Sequence, residues 1–158
     1  MNTISNNLSK ILLAGLVAML FVGCDSLFND GEIRYDGPTQ VEFKPTSQSL
    51  TLGSNQGGTL SVNVQLIGEQ RSQDLPLSFV VVDEETTAEE GVDYSLPSTS
   101  VTIPADSSSA AVDITVSGQD LNTGEQVSLV LELQGNSDQN VQAAEELKRY
   151  TLTLLGGS

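Results

Sequence analysis

Apolar and polar residues alternate along most of the chain after residue 40. The clearest case is the run from Leu60 to Leu66, in which every second side chain is apolar and those between are polar. Seven other segments repeat this pattern, with apolar positions at Val41 and Phe43; Leu50 and Leu52; Leu77, Phe79 and Val81; Val101 and Ile103; Val112, Ile114 and Val116; Val127, Leu129, Leu131 and Leu133; and Tyr150, Leu152 and Leu154. A period of two predicts strands with one buried face and one face in water.

The segments between these strands contain turn-forming residues, as in Gly57-Gly58, Asn122-Thr123-Gly124 and Asn136-Ser137-Asp138. Short turn-rich links between strands favour an antiparallel β-sandwich, which we expect to have about seven strands and to occupy residues 40–158. One segment departs from the period. Residues Val141 to Leu147 predict one or two helical turns before the last strand.

The first 23 residues have the pattern of an export signal. A polar segment ends in Lys10, and an uninterrupted apolar stretch of 12 residues follows from Ile11 to Val22. This stretch is shorter than the roughly 20 residues that span a membrane as a helix, but it matches the apolar region of a secretory signal. It leads into Phe21-Val22-Gly23-Cys24, which resembles the bacterial lipobox. The resemblance implies cleavage before Cys24 and acylation of its thiol, so that residues 1–23 are a lipoprotein signal peptide.

Residues 24–39 are polar and rich in turn formers, and they predict a flexible tether between Cys24 and the sandwich. We therefore expect a protein anchored through acyl chains to the bacterial cell envelope, at the outer membrane, facing the periplasm or the exterior. The sequence does not decide which membrane leaflet holds the protein. An acid after the lipidated Cys, as at Asp25, retains lipoproteins in the inner membrane of some enteric bacteria but not in other groups.

The composition restricts the possible chemistry. The chain has 21 acidic and 6 cationic residues, a net charge of −15, no His, no Trp and a single Cys. The negative charge disfavours binding to nucleic acid. The missing residue types exclude a His-based triad, a Cys nucleophile in the domain and zinc sites with nitrogen or sulfur ligands. No phosphate-binding loop or other catalytic motif is present. We expect a protein that is not an enzyme.

The segment from Asp83 to Tyr94, with the sequence DEETTAEEGVDY, resembles the signature of the Calx-beta family. The following hairpin, Val101 to Val116, and the strand from Val127 to Leu133 resemble the next elements of that family. The resemblance covers about residues 41–155 and implies an immunoglobulin-like sandwich. The residues themselves indicate a structural corner, with Gly91 at a positive φ, Asp93 accepting backbone hydrogen bonds, and Tyr94 packing its ring at the sandwich edge.

Calcium is the one cofactor that the resemblance brings into consideration, since the exchanger members of the family bind it through acidic clusters. Of those clusters the chain keeps one acid, Asp120, after the fifth strand and none after the last. The candidate calcium ligands are Asp83, Glu84, Glu85, Glu89, Glu90, Asp93 and Asp120. Calcium takes six to eight oxygen ligands, so we expect no cofactor, with weak calcium binding as the alternative.

The function expected from the sequence is a lipid-anchored, non-catalytic binding, adhesion or scaffold module with a protein partner in the envelope or outside the cell. Two alternatives stay open. One is a calcium-binding Calx-beta domain, and the other is an accessory carbohydrate-binding lipoprotein. The second would need exposed aromatic rings. The aromatic residues after Cys24 are Phe28, Tyr35, Phe43, Phe79, Tyr94 and Tyr150, of which three fall at inward strand positions.

Overall fold

Two five-stranded β-sheets face each other across a hydrophobic core in the computed structural model, which describes residues 35–158. The strands are β1 (Gln40–Lys44), β2 (Ser47–Leu52), β3 (Gly57–Ile67), β4 (Leu75–Val81), β5 (Tyr94–Ser95), β6 (Ser100–Ile103), β7 (Ser109–Ser117), β8 (Gln126–Gln134), β9 (Gln142–Ala143) and β10 (Arg149–Gly156). The first sheet has the order β5-β7-β3-β1-β9, and the second has the order β2-β10-β8-β4-β6. The predicted all-β sandwich is confirmed.

The core follows the alternation in the sequence. Along β3 the side chains of Val62, Val64 and Leu66 are buried, whereas Asn63 and Gln65 between them are partly exposed. The two sheets meet at the rings of Phe43 and Tyr150, whose centroids are 5.7 Å apart. Burial raises the pKa of Tyr150 to about 12, and its hydroxyl donates a hydrogen bond to Gln48.

The chain changes sheets between its first two strands. Strand β1 pairs antiparallel with β3 in the first sheet, and after Pro45 strand β2 runs parallel to β10 in the second sheet. A second parallel pair joins β1 to β9. The prediction of about seven antiparallel strands therefore needs correction. The described residues contain ten strands, because the first segment is divided between the sheets and β5 and β9 are short additions of two residues each.

The helical turns predicted for Val141 to Leu147 are also wrong. Gln142 and Ala143 form β9 instead, since the N–H of Gln142 donates to the carbonyl oxygen of Thr39 and that of Ala144 donates to Val41. A short 3₁₀ turn occurs earlier, at Ser137–Gln139. Pairing with the edge of β1 satisfies backbone groups that an isolated helical turn this short would leave to water.

Candidate functional site

The segment that resembles the Calx-beta signature begins as an irregular continuation of β4 beside β8. The N–H of Val82 donates to the carbonyl oxygen of Val130 at 2.9 Å. Beyond this point two hydroxyls complete the pairing, because Thr86 Oγ1 accepts from the N–H of Val130 at 3.0 Å and Thr87 Oγ1 accepts from the N–H of Ser128 at 2.9 Å. Side-chain oxygens thus replace the backbone carbonyls that a regular strand would offer to β8.

The second half of this segment is a turn closed by Asp93. The Oδ2 atom of Asp93 accepts a hydrogen bond from the N–H of Glu89 at 2.8 Å, and the N–H of Asp93 donates back to the carbonyl of Glu89 at 2.9 Å. Gly91 adopts φ +83°, and its N–H donates to the carbonyl of Tyr94. The roles predicted for Gly91 and Asp93 are confirmed, and they are structural. Asp93 is the one buried charged residue of the described part.

The ring of Tyr94 is buried at the end of this turn, in the two-residue strand β5. Burial raises the pKa of Tyr94, and the negative charges of Glu90 and Asp83 raise it further. The two carboxylates therefore lie within electrostatic reach of the phenol.

An ion-pair network joins the start of β10 to β8 and to the Asp83–Tyr94 segment. The guanidinium of Arg149 contacts Glu85 Oε1 at 2.6 Å and Glu132 Oε2 at 2.8 Å. The neighbouring Lys148 lies 3.8 Å from Glu132 and 3.1 Å from Glu145. The hydrogen bond from Arg149 is the main cause that lowers the pKa of Glu132, and the charge of Lys148 adds to it.

The candidate calcium ligands differ in whether their carboxylate oxygens already have a hydrogen-bond or ion-pair partner. Glu85 pairs with Arg149, and Asp93 closes its own turn. Asp83, Glu84, Glu89 and Glu90 are exposed. Within residues 35–158 no group of three or more acidic side chains is arranged to hold a metal ion. Cys24, the predicted acylation site, lies outside the described residues.

Asp120 comes from a different part of the chain, but it borders the same surface depression as the Gly91–Tyr94 turn. This open depression has a volume of about 380 Å³. Its walls are Gly91, Val92, Tyr94, Ser95, Thr115, Val116, Ser117, Gln119 and Asp120. Asp120 is the only carboxylate among these residues, so the depression offers a single charged ligand.

The aromatic residues of the described part are mostly inside the sandwich. Phe43, Phe79, Tyr94 and Tyr150 are buried, and Tyr35 is 43% exposed. The hydroxyl of Tyr35 donates to the carbonyl of Pro38 beside the start of β1. Stacking of a sugar needs an accessible ring face, and among the aromatic residues in 35–158 only Tyr35 is exposed.

Two features of this region were not predicted from the sequence. The hydroxyls of Thr86 and Thr87 complete the pairing of β8, and Arg149 links three elements. The sequence contained a signal for the second feature. Lys148 and Arg149 are two of the six cations of an acidic chain, and they stand at the head of a strand whose neighbour carries Glu132. The sequence contained no signal for the pairing of the Thr86 and Thr87 hydroxyls with β8, because Thr occurs as readily in a loop without such bonds.

The comparisons with known proteins identify a family and indicate the fold. The model of a family described as "Domain of unknown function (DUF4843)" matches residues 47–155. The chain belongs to this family. No curated protein sequence matches the chain significantly. The family match spans β2 to β10, except for Gly156 at the end of β10, and does not include β1.

Two solved structures are similar to this member of the DUF4843 family. One is a protein of unknown function from Bacteroides ovatus, with 18% identity, a TM-score of 0.54 and coverage of 73% of this chain and 44% of that chain. The other is the complex of CsuC and CsuE, a chaperone and tip adhesion subunit of the archaic chaperone-usher Csu pili of Acinetobacter baumannii. It has 15% identity, a TM-score of 0.46 and coverage of 73% and 56%. This chain spans less than half of the Bacteroides ovatus protein. At such identities the first likeness shows the fold alone.

Proposed function

We propose that this DUF4843 member is a lipid-anchored protein of the bacterial cell envelope that acts as a non-catalytic binding, adhesion or scaffold module. The observation that carries the proposal is the position of Cys24. It is the only cysteine of the chain, and it follows a 12-residue apolar stretch at the position that the lipobox requires. Two or three acyl chains on this residue would hold the protein stably at a membrane, because each buried CH₂ contributes about 0.8 kcal/mol.

The fold supports an immunoglobulin-like, Calx-beta-like assignment of the domain after the tether. The strand orders β5-β7-β3-β1 and β2-β10-β8-β4-β6 resemble the two sheets of an immunoglobulin-like sandwich, in which the first strand divides between the sheets. In residues 35–158 no helix is long and apolar enough to span a membrane.

Two properties of the domain support a role without catalysis. The chain has no His, and its one Cys precedes the domain, which removes the commonest general base and the strongest nucleophile. Two of the six charged residues of the Asp83–Tyr94 segment are engaged, since Glu85 pairs with Arg149 and Asp93 closes the turn. Calcium binding is retained as the alternative that the Calx-beta resemblance suggests, and the observation that favours testing it is the contribution of the Glu90 and Asp83 charges to the raised pKa of Tyr94, after that of burial.

Mass spectrometry of the protein isolated from membranes tests the proposal. We expect a mature amino terminus at residue 24, with a mass increased by acyl chains, and membrane fractionation that persists in high salt. Cys24→Ser is the matched variant, and it should leave a folded domain that is released from the membrane or keeps its signal peptide. A mature terminus at another residue, or an unmodified Cys24 in the processed protein, would contradict the proposal.

A further inference from the structure

The sandwich has four edge strands, and three of them are short; one of these, β5, covers only two of the nine residues of β7. Strands β5 and β9 have two residues each, and β6 has four. Strand β2 (Ser47–Leu52) is the exception, since it forms the edge of the second sheet over six residues and pairs only with β10 among the described strands. Proteins commonly protect long edge strands with Lys, Pro, a bulge or a covering segment. Strand β2 contains no charged residue and no proline.

The free hydrogen-bonding groups of this edge belong to Ser47, Ser49 and Thr51. The carbonyl of Thr46 accepts a bond from the N–H of Thr151 in β10, and the carbonyl of Leu52 accepts one from the N–H of Gly157, directly after β10. Because the N–H and C=O groups of a strand alternate between its two sides, the even-numbered residues of β2 face β10 and the odd-numbered residues face away. None of the odd-numbered residues has a hydrogen-bond partner among residues 35–158.

We infer that this edge pairs with β2 of a second copy of the chain, antiparallel and around a two-fold axis at Ser49. This register places Ser49 opposite its counterpart and Ser47 opposite Thr51 of the other copy. It joins all three free residues, whereas shifting the centre to Ser47 or Thr51 would leave residues unpaired. Cross-strand Ser and Thr pairs are favourable, and the two-fold axis closes the assembly as a dimer.

Charge favours a second copy over a basic or acidic partner strand. Residues 45–68 contain no Asp, Glu, Lys or Arg, in a chain with a net charge of −15. A basic partner would find no carboxylate on β2, whereas two identical neutral strands meet without opposing like charges. On the inner face of β2, Gln48 and Leu50 are only partly buried. In the proposed register Leu50 would lie beside Gln48 of the other copy and gain cover.

Cysteine cross-linking of the full chain in membranes tests the register. Paired residues of the dimer would have Cα atoms about 5.5 Å apart, within the range for a disulfide, whereas residues offset by four positions would be about 14 Å apart. Under mild oxidation we expect a cross-linked dimer for Ser49→Cys but not for Ser47→Cys or Thr51→Cys alone. Co-expressed Ser47→Cys and Thr51→Cys chains should cross-link to each other. The unaltered chain measures any contribution of Cys24.

A proline substitution in β2 provides a variant in which the proposed pairing between copies is disrupted. Ser49→Pro removes an N–H that faces away from β10, so β2 can keep its place in the sheet. Added to the Ser47→Cys and Thr51→Cys chains, it should lower their cross-linking by roughly ten-fold or more, since the dimer would lose two central hydrogen bonds. Equal yields of cross-linked dimer at positions 47, 49 and 51 would overturn the inference. So would the absence of a Ser49→Cys dimer above the level of the unaltered chain, which is also the result expected if a strand of another protein occupies the edge.

Discussion

Arg149 and Glu132 face each other across strands β10 and β8, with Arg149 Nε 2.8 Å from Glu132 Oε2. The same guanidinium reaches Glu85, in the segment that leaves β4. A single cation therefore links the last strand, the central strand of the second sheet and the segment that resembles the Calx-beta signature. These two ion pairs fasten the segment to the second sheet. They use one of the few cations of a chain in which acidic residues far outnumber basic ones.

The first prediction concerns how the stability contributed by the Arg149–Glu132 ion pair depends on pH. The pKa of Glu132 is lowered in the folded protein, so its contribution to stability is complete above the unfolded pKa and is lost as pH falls through the folded pKa. Glu132→Gln should cost about 0.5–1 kcal/mol at pH 7 and nothing at a pH below the lowered value. Thermal melts of both proteins from pH 7 to pH 3 measure this. A stability difference that persists unchanged in acid would contradict the prediction, and Glu146→Gln serves as the control for losing one surface charge.

The second prediction concerns the turn that Asp93 closes. Asp93→Ala removes the buried carboxylate that accepts a part-buried hydrogen bond from the N–H of Glu89, and we expect a loss of about 1–3 kcal/mol in the free energy of unfolding. Asp93→Asn keeps an oxygen that can accept the same bond and should cost less. Urea denaturation gives both values. Equal losses in the two variants would show that the charge of Asp93, rather than its hydrogen bond, stabilises the turn.

The alternation of apolar residues was sufficient to predict the sandwich, since a period of two is a local property and the buried positions of β3 and β7 follow it directly. The turn at Gly91 and Asp93 was predictable for the same reason, because its bonds join residues five positions apart or fewer. Pairings between segments that are distant in the sequence could not be predicted from this local pattern. Val141 to Leu147 has local helical character, and only the edge of β1, about a hundred residues away, makes Gln142 a strand residue.

The third prediction concerns calcium. Since Glu85 and Asp93 are engaged, millimolar calcium should leave the melting temperature of the protein unchanged. A ligand at 100 times its dissociation constant would stabilise by about 2.7 kcal/mol, which corresponds to a rise of about 5 °C or more for a domain of this size. Such a rise, abolished by Asp83→Asn combined with Glu90→Gln and not reproduced by magnesium, would support the calcium-binding alternative. Both substitutions leave the bond between Asp93 and Glu89 in place.

The last prediction compares inward and outward positions of one strand. Val64 is fully buried, and Asn63 beside it is partly exposed and lies opposite Lys44 of β1. Val64→Asp would bury an unpaired charge, and we expect it to prevent folding or to cost more than about 4 kcal/mol. Asn63→Asp places a carboxylate across from Lys44 and should change stability by only a few tenths of a kcal/mol.

The contrast should recur on β7, where Val112 is buried and Ala111 is exposed, with Val112→Asp and Ala111→Asp as the matched pair. It should also recur, but with a smaller gap, at Leu131 and Glu132, because Leu131 is fully buried and Glu132 has an ion-pair partner to lose. Far-ultraviolet circular dichroism and thermal melts distinguish these outcomes. Equal tolerance of aspartate at positions 63 and 64 would contradict the burial of alternate residues along β3, and with it the sandwich on which the proposed pairing of β2 depends.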